Sequence, residues 1–500
     1  MPPRVSRPAW LWLTLLLVTA LAAGCDLGGG GDENAKAGGT ASKTAATFQQ
    51  FRSRPDLRPP KIVVAKAPRQ TATGLIFISP KKEGSPGGPL ILDGKGRVVW
   101  FHSVQPRQST DFRVQRYRGR LVLTWWEGTQ PVIGVGSGSF VIMDESYRRI
   151  ARIEAGNGLD GDLHEFLITP RNTALIAAYE LVRRDLSAFG GPKSGHVFDS
   201  VVQELEIPTA RVLFEWRSLD HVPLAESAQR APARTASAKA PFDYFHVNSV
   251  EVDTDSNLIL SARNTNAVYK IDRRTGKVLW RLGGRNSDFA LGPGAKFAWQ
   301  HDARRQADGT IRLFDNSASP KVAEQSRAIV LRLDQRAKVA SLVRAYAHPD
   351  KLLSPHQGNA QQLANGGVFV GWGGKPNFTE FDADGRVVFD AHLAAGDSYR
   401  AYRLAWSGRP VDRPAVATRA ATDGRITLYA SWNGATEVAS WEVLAGPDSA
   451  HLSSLATAPK AGFETAVAVR TRQPFLSVRA RDSAGRTLGT SPSVEAPGRS

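Results

Sequence analysis

Four histidines recur at matching places along this 500-residue chain: His164 in DLHEF, His246 in FHVNS, His301 in WQHDA and His356 in SPHQG. Each is followed by a short apolar run, ALIAAY, LILSAR, IRLFDN and VFVGWG in turn. Intervals of 55 residues separate His246 from His301 and His301 from His356. Self-similarity at such a period marks an array or a propeller, in which equivalent positions converge near one axis. Four scattered imidazoles then become one cluster. Around His246, strand alternation predicts His246, Asn248 and Val250 on one face, with Arg263 on the next strand. A histidine, an amide and a guanidinium on one surface suit a tetrahedral oxyanion. The competing reading of these residues is a buried polar network that holds the repeat together.

Other chemistries fit less well. Zinc would want HxH or HExxH spacing, and neither occurs; the nearby Glu165 and Asp302 are expected on the opposite strand face. Asp253-Thr254-Asp255-Ser256-Asn257 opens like a calcium loop, but Leu258 and Asn264 stand where a glycine and a glutamate are required. No GxSxG elbow is present. Neither a metal nor a cofactor is therefore expected.

The elements that must position these residues read as strands. From about residue 70 to 395, β-branched and aromatic runs are cut by DG, NG and RTG turns, as in LILDGKGRVVWFH and AVYKIDRRTGKVLWRLGG. Six units begin near Thr73, Phe112, His164, His246, His301 and His356. Radial closure removes the free edges of such sheets. The predicted fold is all-β: a six-bladed β-propeller over 49–410, then a small fibronectin- or immunoglobulin-like β-sandwich over 411–500 with Trp432 and Trp441 as core aromatics. A β-sandwich pair or a right-handed β-helix is the alternative. The Ala/Pro/Arg-rich stretch 223–241 reads as a slack insertion, the alternative being a lid over the site. Trp125, Trp126, Trp299 and Trp372 are either aromatic lining for a ring substrate or core residues.

The first 25 residues are a targeting segment: Arg4 and Arg7, an apolar run, then Leu21-Ala22-Ala23-Gly24-Cys25. This resembles the lipobox of bacterial lipoproteins, which implies lipidation at Cys25 and an extracytoplasmic, membrane-anchored protein. Residues 26–48 are Gly/Ala-rich and read as a tether. Cys25 is the only cysteine, so no internal disulfide can form. The net charge of +17 is dispersed rather than blocked, which with the exported address argues against nucleic acid; a pull on anionic small substrates is the functional reading.

The string DYFHVNSVEVDTDSNLILSARNTNAVYKIDRRTGKVLWRLGG, with WQHDA…LFDN and HQGNAQ…VGWG, resembles the signature regions of bacterial arylsulfate sulfotransferases over about residues 70–410, in their shorter, lipoprotein-like branch. That resemblance implies a six-bladed propeller that moves a sulfuryl group from an aryl sulfate donor to a phenolic acceptor through a sulfohistidine, without nucleotide sulfate. It implies His301 as nucleophile and His246, Asn248, Arg263 and His164 as sulfate contacts. His356, to which it gives no role, is grouped with the substrate-binding residues by its shared register. The family's characterised branch carries an extra N-terminal sandwich and a disulfide that this sequence lacks. The alternative function is a non-catalytic surface propeller acting as a binding or scaffold module.

Overall fold

A computed structural model describes residues 47–82, 86–232 and 236–498; Cys25, the targeting segment and nearly all of the expected tether lie outside them. The described chain is built of strands and turns. In order they are Ile62–Lys66 (β1), Leu75–Lys81 (β2), Leu90–Leu92 (β3), Val98–Phe101 (β4), Gln108–Tyr117 (β5), Arg120–Val132 (β6), Val135–Met143 (β7) and Arg149–Ile153 (β8). Then come Gly161–Ile168 (β9), Thr173–Arg184 (β10), Gly195–Glu206 (β11), Val212–Arg217 (β12), Val247–Val252 (β13), Leu258–Ala262 (β14), Ala267–Ile271 (β15) and Val278–Gly283 (β16). Next are Ala290–Leu291 (β17), His301–Arg305 (β18), Ile311–Asp315 (β19), Arg327–Asp334 (β20) and Val339–Ala347 (β21). Asn359–Gln362 (β22), Val368–Gly371 (β23), Asn377–Phe381 (β24), Val387–Leu393 (β25) and Asp397–Leu404 (β26) end this series.

Antiparallel four-stranded units repeat along the chain: β5–β8, β9–β12, β13–β16, β18–β21 and β22–β25. A further unit runs β26-β2-β3-β4, so a late strand pairs with an early one, Phe77 opposite Tyr402 and Ile78 opposite Ala401. β5–β8 and β9–β12 join through one pairing, Gly138 opposite Gly161. Glycine is needed there, since a Cβ at Gly161 would come 2.6 Å from the Phe140 ring.

Each unit is apolar on both faces, and alternation divides its side chains between two cores. Leu258 and Leu260 pack with Leu175, Val202 and Trp216 of the preceding unit. Ile259 between them points the other way, to Ile311, Leu313 and Ile329 of the next. The remaining cores repeat the pattern, and one of them packs Phe369 and Phe389 of the last unit against Ile76, Ile78 and Leu90 of the first strands. Trp125, Trp126 and Trp372 are buried in such cores. The stretch 223–241 departs from the slack insertion expected. Ala231 and Ala236 are buried in a core with Leu224 against it, and buried Glu226 pairs with Arg281 and accepts from the Tyr269 hydroxyl. Its composition resembles a loop, but these contacts fasten it.

The last strands are Ala415–Ala420 (β27), Ile426–Ser431 (β28), Ser440–Gly446 (β29), Ser453–Pro459 (β30), Glu464–Val469 (β31), Phe475–Arg481 (β32), Thr487–Thr490 (β33) and Val494–Glu495 (β34). They form a three-stranded and a five-stranded sheet around one core of Leu428, Trp441, Val443, Leu476 and Val478; Trp432 is only half-buried at its side.

Beneath the units' inner strands lies a buried ionic cluster. Glu165 on β9 accepts from Arg113 on β5 at 2.6 Å and from Arg304 on β18 at 2.5 Å. Arg400 on β26, fully buried, reaches Glu165 at 3.3 Å and Asp111 at 2.8 Å. Arg304 also holds Asp302 and the Val250 carbonyl of β13. The three guanidiniums hold the Glu165 carboxyl well below the usual carboxylate range despite its burial. Removing one partner from a buried set leaves uncompensated charge. Glu165→Ala is therefore expected to lower unfolding free energy by about 3–5 kcal/mol, read as a reduced urea midpoint.

Candidate active site

One cavity of about 500 Å³ gathers all four histidines, together with Arg263, Asp243, Lys81 and Asp397. His164, His246 and His301 are buried, and His356 stands exposed at the rim. The rings of His164 and His246 meet edge to face at 4.8 Å.

The three deeper imidazoles differ in what holds Nδ1. That of His164 lies 2.5 Å from Asp162 Oδ1, while the other oxygen of Asp162 accepts the Gly136 N–H. That of His246 is paired with the Asp243 carboxylate. His301 instead faces Asn316 Oδ1 at 2.8 Å and the Trp299 carbonyl at 3.1 Å. Asn316 donates its amide hydrogens to the Ser354 and Gln357 carbonyls, which fixes its oxygen toward His301. Two acceptors at Nδ1 require a proton there. Nε2 receives the Gln357 N–H at 3.2 Å and so carries the lone pair. Burial, then the charge of Arg263, holds the His301 imidazole well below its ordinary pKa. Burial likewise lowers His164, against the opposing pull of Asp162.

Arg263 lies one residue beyond β14, and its N–H is bonded to the His246 carbonyl. Its guanidinium stacks over Trp299 at 5.1 Å and donates to Asn264 Oδ1 and to the Ser319 and Pro355 carbonyls. Among the described residues it forms no ion pair, so its charge is left for a ligand. Trp299, alone of the four candidate tryptophans, borders the site, as the platform under Arg263.

Asn248 is placed differently from the expectation. It is fully buried beneath the cavity, not on its lining; its Nδ2 donates to the Gln300 carbonyl, and Oδ1 has no partner. Two features break the alternation carried from His246. His246 precedes β13 in a left-handed conformation, φ 58°, and the β13–β14 register shifts between Val247 and Ser249. Trp299, Asp302 and Gln357 share positive φ, at 58°, 56° and 64°. Non-glycine residues held there are strained, and such strain collects at functional sites. Glu165 and Asp302 belong to the ionic cluster below. The carboxylates that do meet histidines, Asp162 and Asp243, were not among the residues expected from sequence. Asp162 was legible, two residues before His164 on one strand; Asp243 lies in a loop and had no such signal.

A family model described as Arylsulfotransferase (ASST) matches residues 113–394, more than half of the chain. The protein belongs to the arylsulfotransferase family. No curated protein matches it. Among solved structures, this arylsulfotransferase-family chain is similar to a protein of unknown function from Bacteroides caccae (13% identity, TM-score 0.40, 66% of this chain and 98% of that one). It is also similar to a streptogramin B lyase (11%, 0.35, 73% and 94%) and to virginiamycin B lyase from Staphylococcus aureus (8%, 0.31, 71% and 94%).

A histidine depressed in the fold binds fewer protons than in the unfolded chain. The stability contributed by His301 is therefore complete above its unfolded value of 6.5 and is lost as pH falls below it. Replacing Arg263 by Gln removes a cation beside the ring and raises the His301 pKa. The acid loss of stability then becomes smaller, measured by denaturant titrations between pH of about 7 and 5.

Proposed function

We propose that this protein transfers a sulfuryl group from an aryl sulfate to a phenol, with His301 Nε2 as nucleophile. The observation carrying the reading is an imidazole fixed as the neutral Nδ1–H tautomer, its Nε2 lone pair in a cavity that also holds a guanidinium free of carboxylate partners.

Nε2 attacks sulfur, the S–N bond forms and the S–O(aryl) bond breaks with its electron pair. The departing phenoxide takes a proton from the Nε2–H of His246 or His164, each held at Nδ1 by an aspartate. Arg263 faces the charge on the sulfuryl oxygens, and the Gln357 N–H, released from Nε2, donates to one of them. A phenol then gives its proton to the same histidine, attacks sulfur and breaks the S–N bond, which makes the kinetics ping-pong. No nucleotide sulfate and no cofactor enter this scheme.

The ring of inter-unit cores supports reading residues 49–410 as a six-bladed β-propeller, with the strands after residue 411 as a fibronectin- or immunoglobulin-like sandwich. The residue pattern ending at Cys25 supports a lipid anchor and an extracytoplasmic location, where the net charge of +17 would favour anionic donors. No described helix is long and apolar enough to cross a membrane.

Intact mass after exposure to 4-nitrophenyl sulfate should rise by one sulfuryl group, and the group should leave on addition of phenol. His301→Ala should gain nothing; full transfer by that variant would refute the assignment. Asp243→Asn should slow donors with basic phenoxide leaving groups by about 100-fold while nearly sparing 4-nitrophenyl sulfate, in single-turnover measurements.

A further inference from the structure

Most residues lining the cavity carry polar side chains, and one apolar residue among them stands out. Ile133 is fully exposed, at 100%, and yet borders the cavity. It sits at the tip of the β6–β7 hairpin, in the two-residue turn Ile133-Gly134 closed by the pairing of Val132 with Val135. Gly134 supplies the positive φ of 84° that the turn requires.

This hairpin is long: β6 has 13 residues and β7 has 9, against 5 each in β14 and β15. A register shift between Thr129 and Val132 places a bulge just before the tip. Bulges bend and twist a strand and so re-aim the residues beyond them. Here the tip comes to the histidines: a Cβ on Gly134 would lie 3.5 Å from His246 Cε1. Gln130 braces the bend by donating to Gln108 Oε1 at 2.7 Å. The chain thus extends and bends a hairpin to leave a large aliphatic side chain in water beside the site.

We propose that Ile133 packs on the aromatic ring of the bound aryl sulfate, and of the phenol that replaces it, and is a specificity-determining residue for aryl over small aliphatic sulfate esters. The inference rests on the sulfuryl-transfer reading above. With the sulfuryl group between His301 and Arg263, the ester oxygen points toward His246 and His164, and the ring continues toward the hairpin tip beside His246. Of the other apolar side chains of the lining, Leu163 is buried and Pro355 half-buried, so Ile133 is the exposed one. Donor and acceptor occupy the same place in succession, so one contact serves both half-reactions. A ring burying Ile133 gains binding in ground and transition states alike, which changes KM and leaves kcat.

The test is steady-state transfer from 4-nitrophenyl sulfate to phenol by the full chain carrying Ile133→Ala, Ile133→Ser or Ile133→Leu. Ala and Ser should raise KM about 10-fold with kcat within about twofold, and Leu should restore the native KM. The larger 4-methylumbelliferyl sulfate should lose more than the nitrophenyl ester. Binding of 4-nitrobenzenesulfonate, which has no ester bond to break, should weaken by a similar factor in the Ala and Ser variants. An unchanged KM and unchanged sulfonate affinity in both would overturn the role of Ile133, and so would a loss of kcat shared by all three variants. A native protein that acquires a sulfuryl group while the variants stay native-like refutes this inference alone. A native protein that acquires none from any aryl sulfate refutes the sulfuryl-transfer reading and this inference with it.

Discussion

Glu165 cannot be moved without moving the site. Its carboxylate lies between the guanidiniums of Arg113, Arg304 and Arg400, and so ties together β5, β9, β18 and β26. The same short segments carry two of the cavity's histidines: His164 precedes Glu165, and His301 precedes Asp302 and Arg304. Arg400 also donates to the Asn248 carbonyl at 2.9 Å, which brings in the segment after His246. A shift of any inner strand would strip a buried charge of its partner, and that cost far exceeds what a displaced surface loop would incur. The histidines are held by a rigid platform rather than by their own contacts alone.

The platform also keeps its charge to itself. Arg113, Arg304 and Arg400 are matched by Asp111, Glu165 and Asp302, so the cluster is close to neutral. Lys81 at the cavity is likewise matched by Asp397 at 2.5 Å. Among the described residues Arg263 forms no ion pair, with Asp243 acting on it only across the cavity, and its direct partners are carbonyl and amide oxygens and the face of Trp299. The positive field in the cavity therefore has one principal source. That source depresses the protonation of His301 and at the same time attracts an anionic ligand, two effects of one charge.

Repetition decided which features were legible in the sequence. The histidines were legible because each lies at or near the first strand of a unit: His164 within β9, His246 just before β13, His301 at the start of β18 and His356 three residues before β22. The apolar alternation at Leu258, Ile259 and Leu260 was likewise visible, because a strand between two cores must be apolar on both sides. Departures from repetition were hidden. Asn248 was misplaced by a left-handed His246 and a register shift, neither of which leaves a pattern in residue types. Asp243 and Asn316 meet their histidines through loops and strand ends, whose geometry the sequence does not encode at short range. The 223–241 stretch has the composition of a loop, and its described residues are fixed by Glu226 meeting Arg281 and Tyr269 and by the burial of Ala231 and Ala236.

The partner of Nδ1 separates the histidines more sharply than their position does. A carboxylate against Nδ1–H stabilises the ring's cationic form, which suits a residue that must lend and recover a proton. Asp162 sets that pull on His164 against the burial that lowers it, and Asp243 meets His246 Nδ1 in the same geometry. An amide oxygen against Nδ1–H orients the ring equally well but gives the cation far less support. Asn316 therefore fixes the tautomer of His301 while burial and Arg263 keep it neutral, and its second nitrogen carries the lone pair that accepts the Gln357 N–H. In the proposed transfer the ring would bear both the sulfuryl group and the Nδ1 proton after attack, cationic with no carboxylate to stabilise it. An imidazole in that state is a good leaving group, so the amide that permits the first transfer would also keep the intermediate from becoming too stable to complete the second.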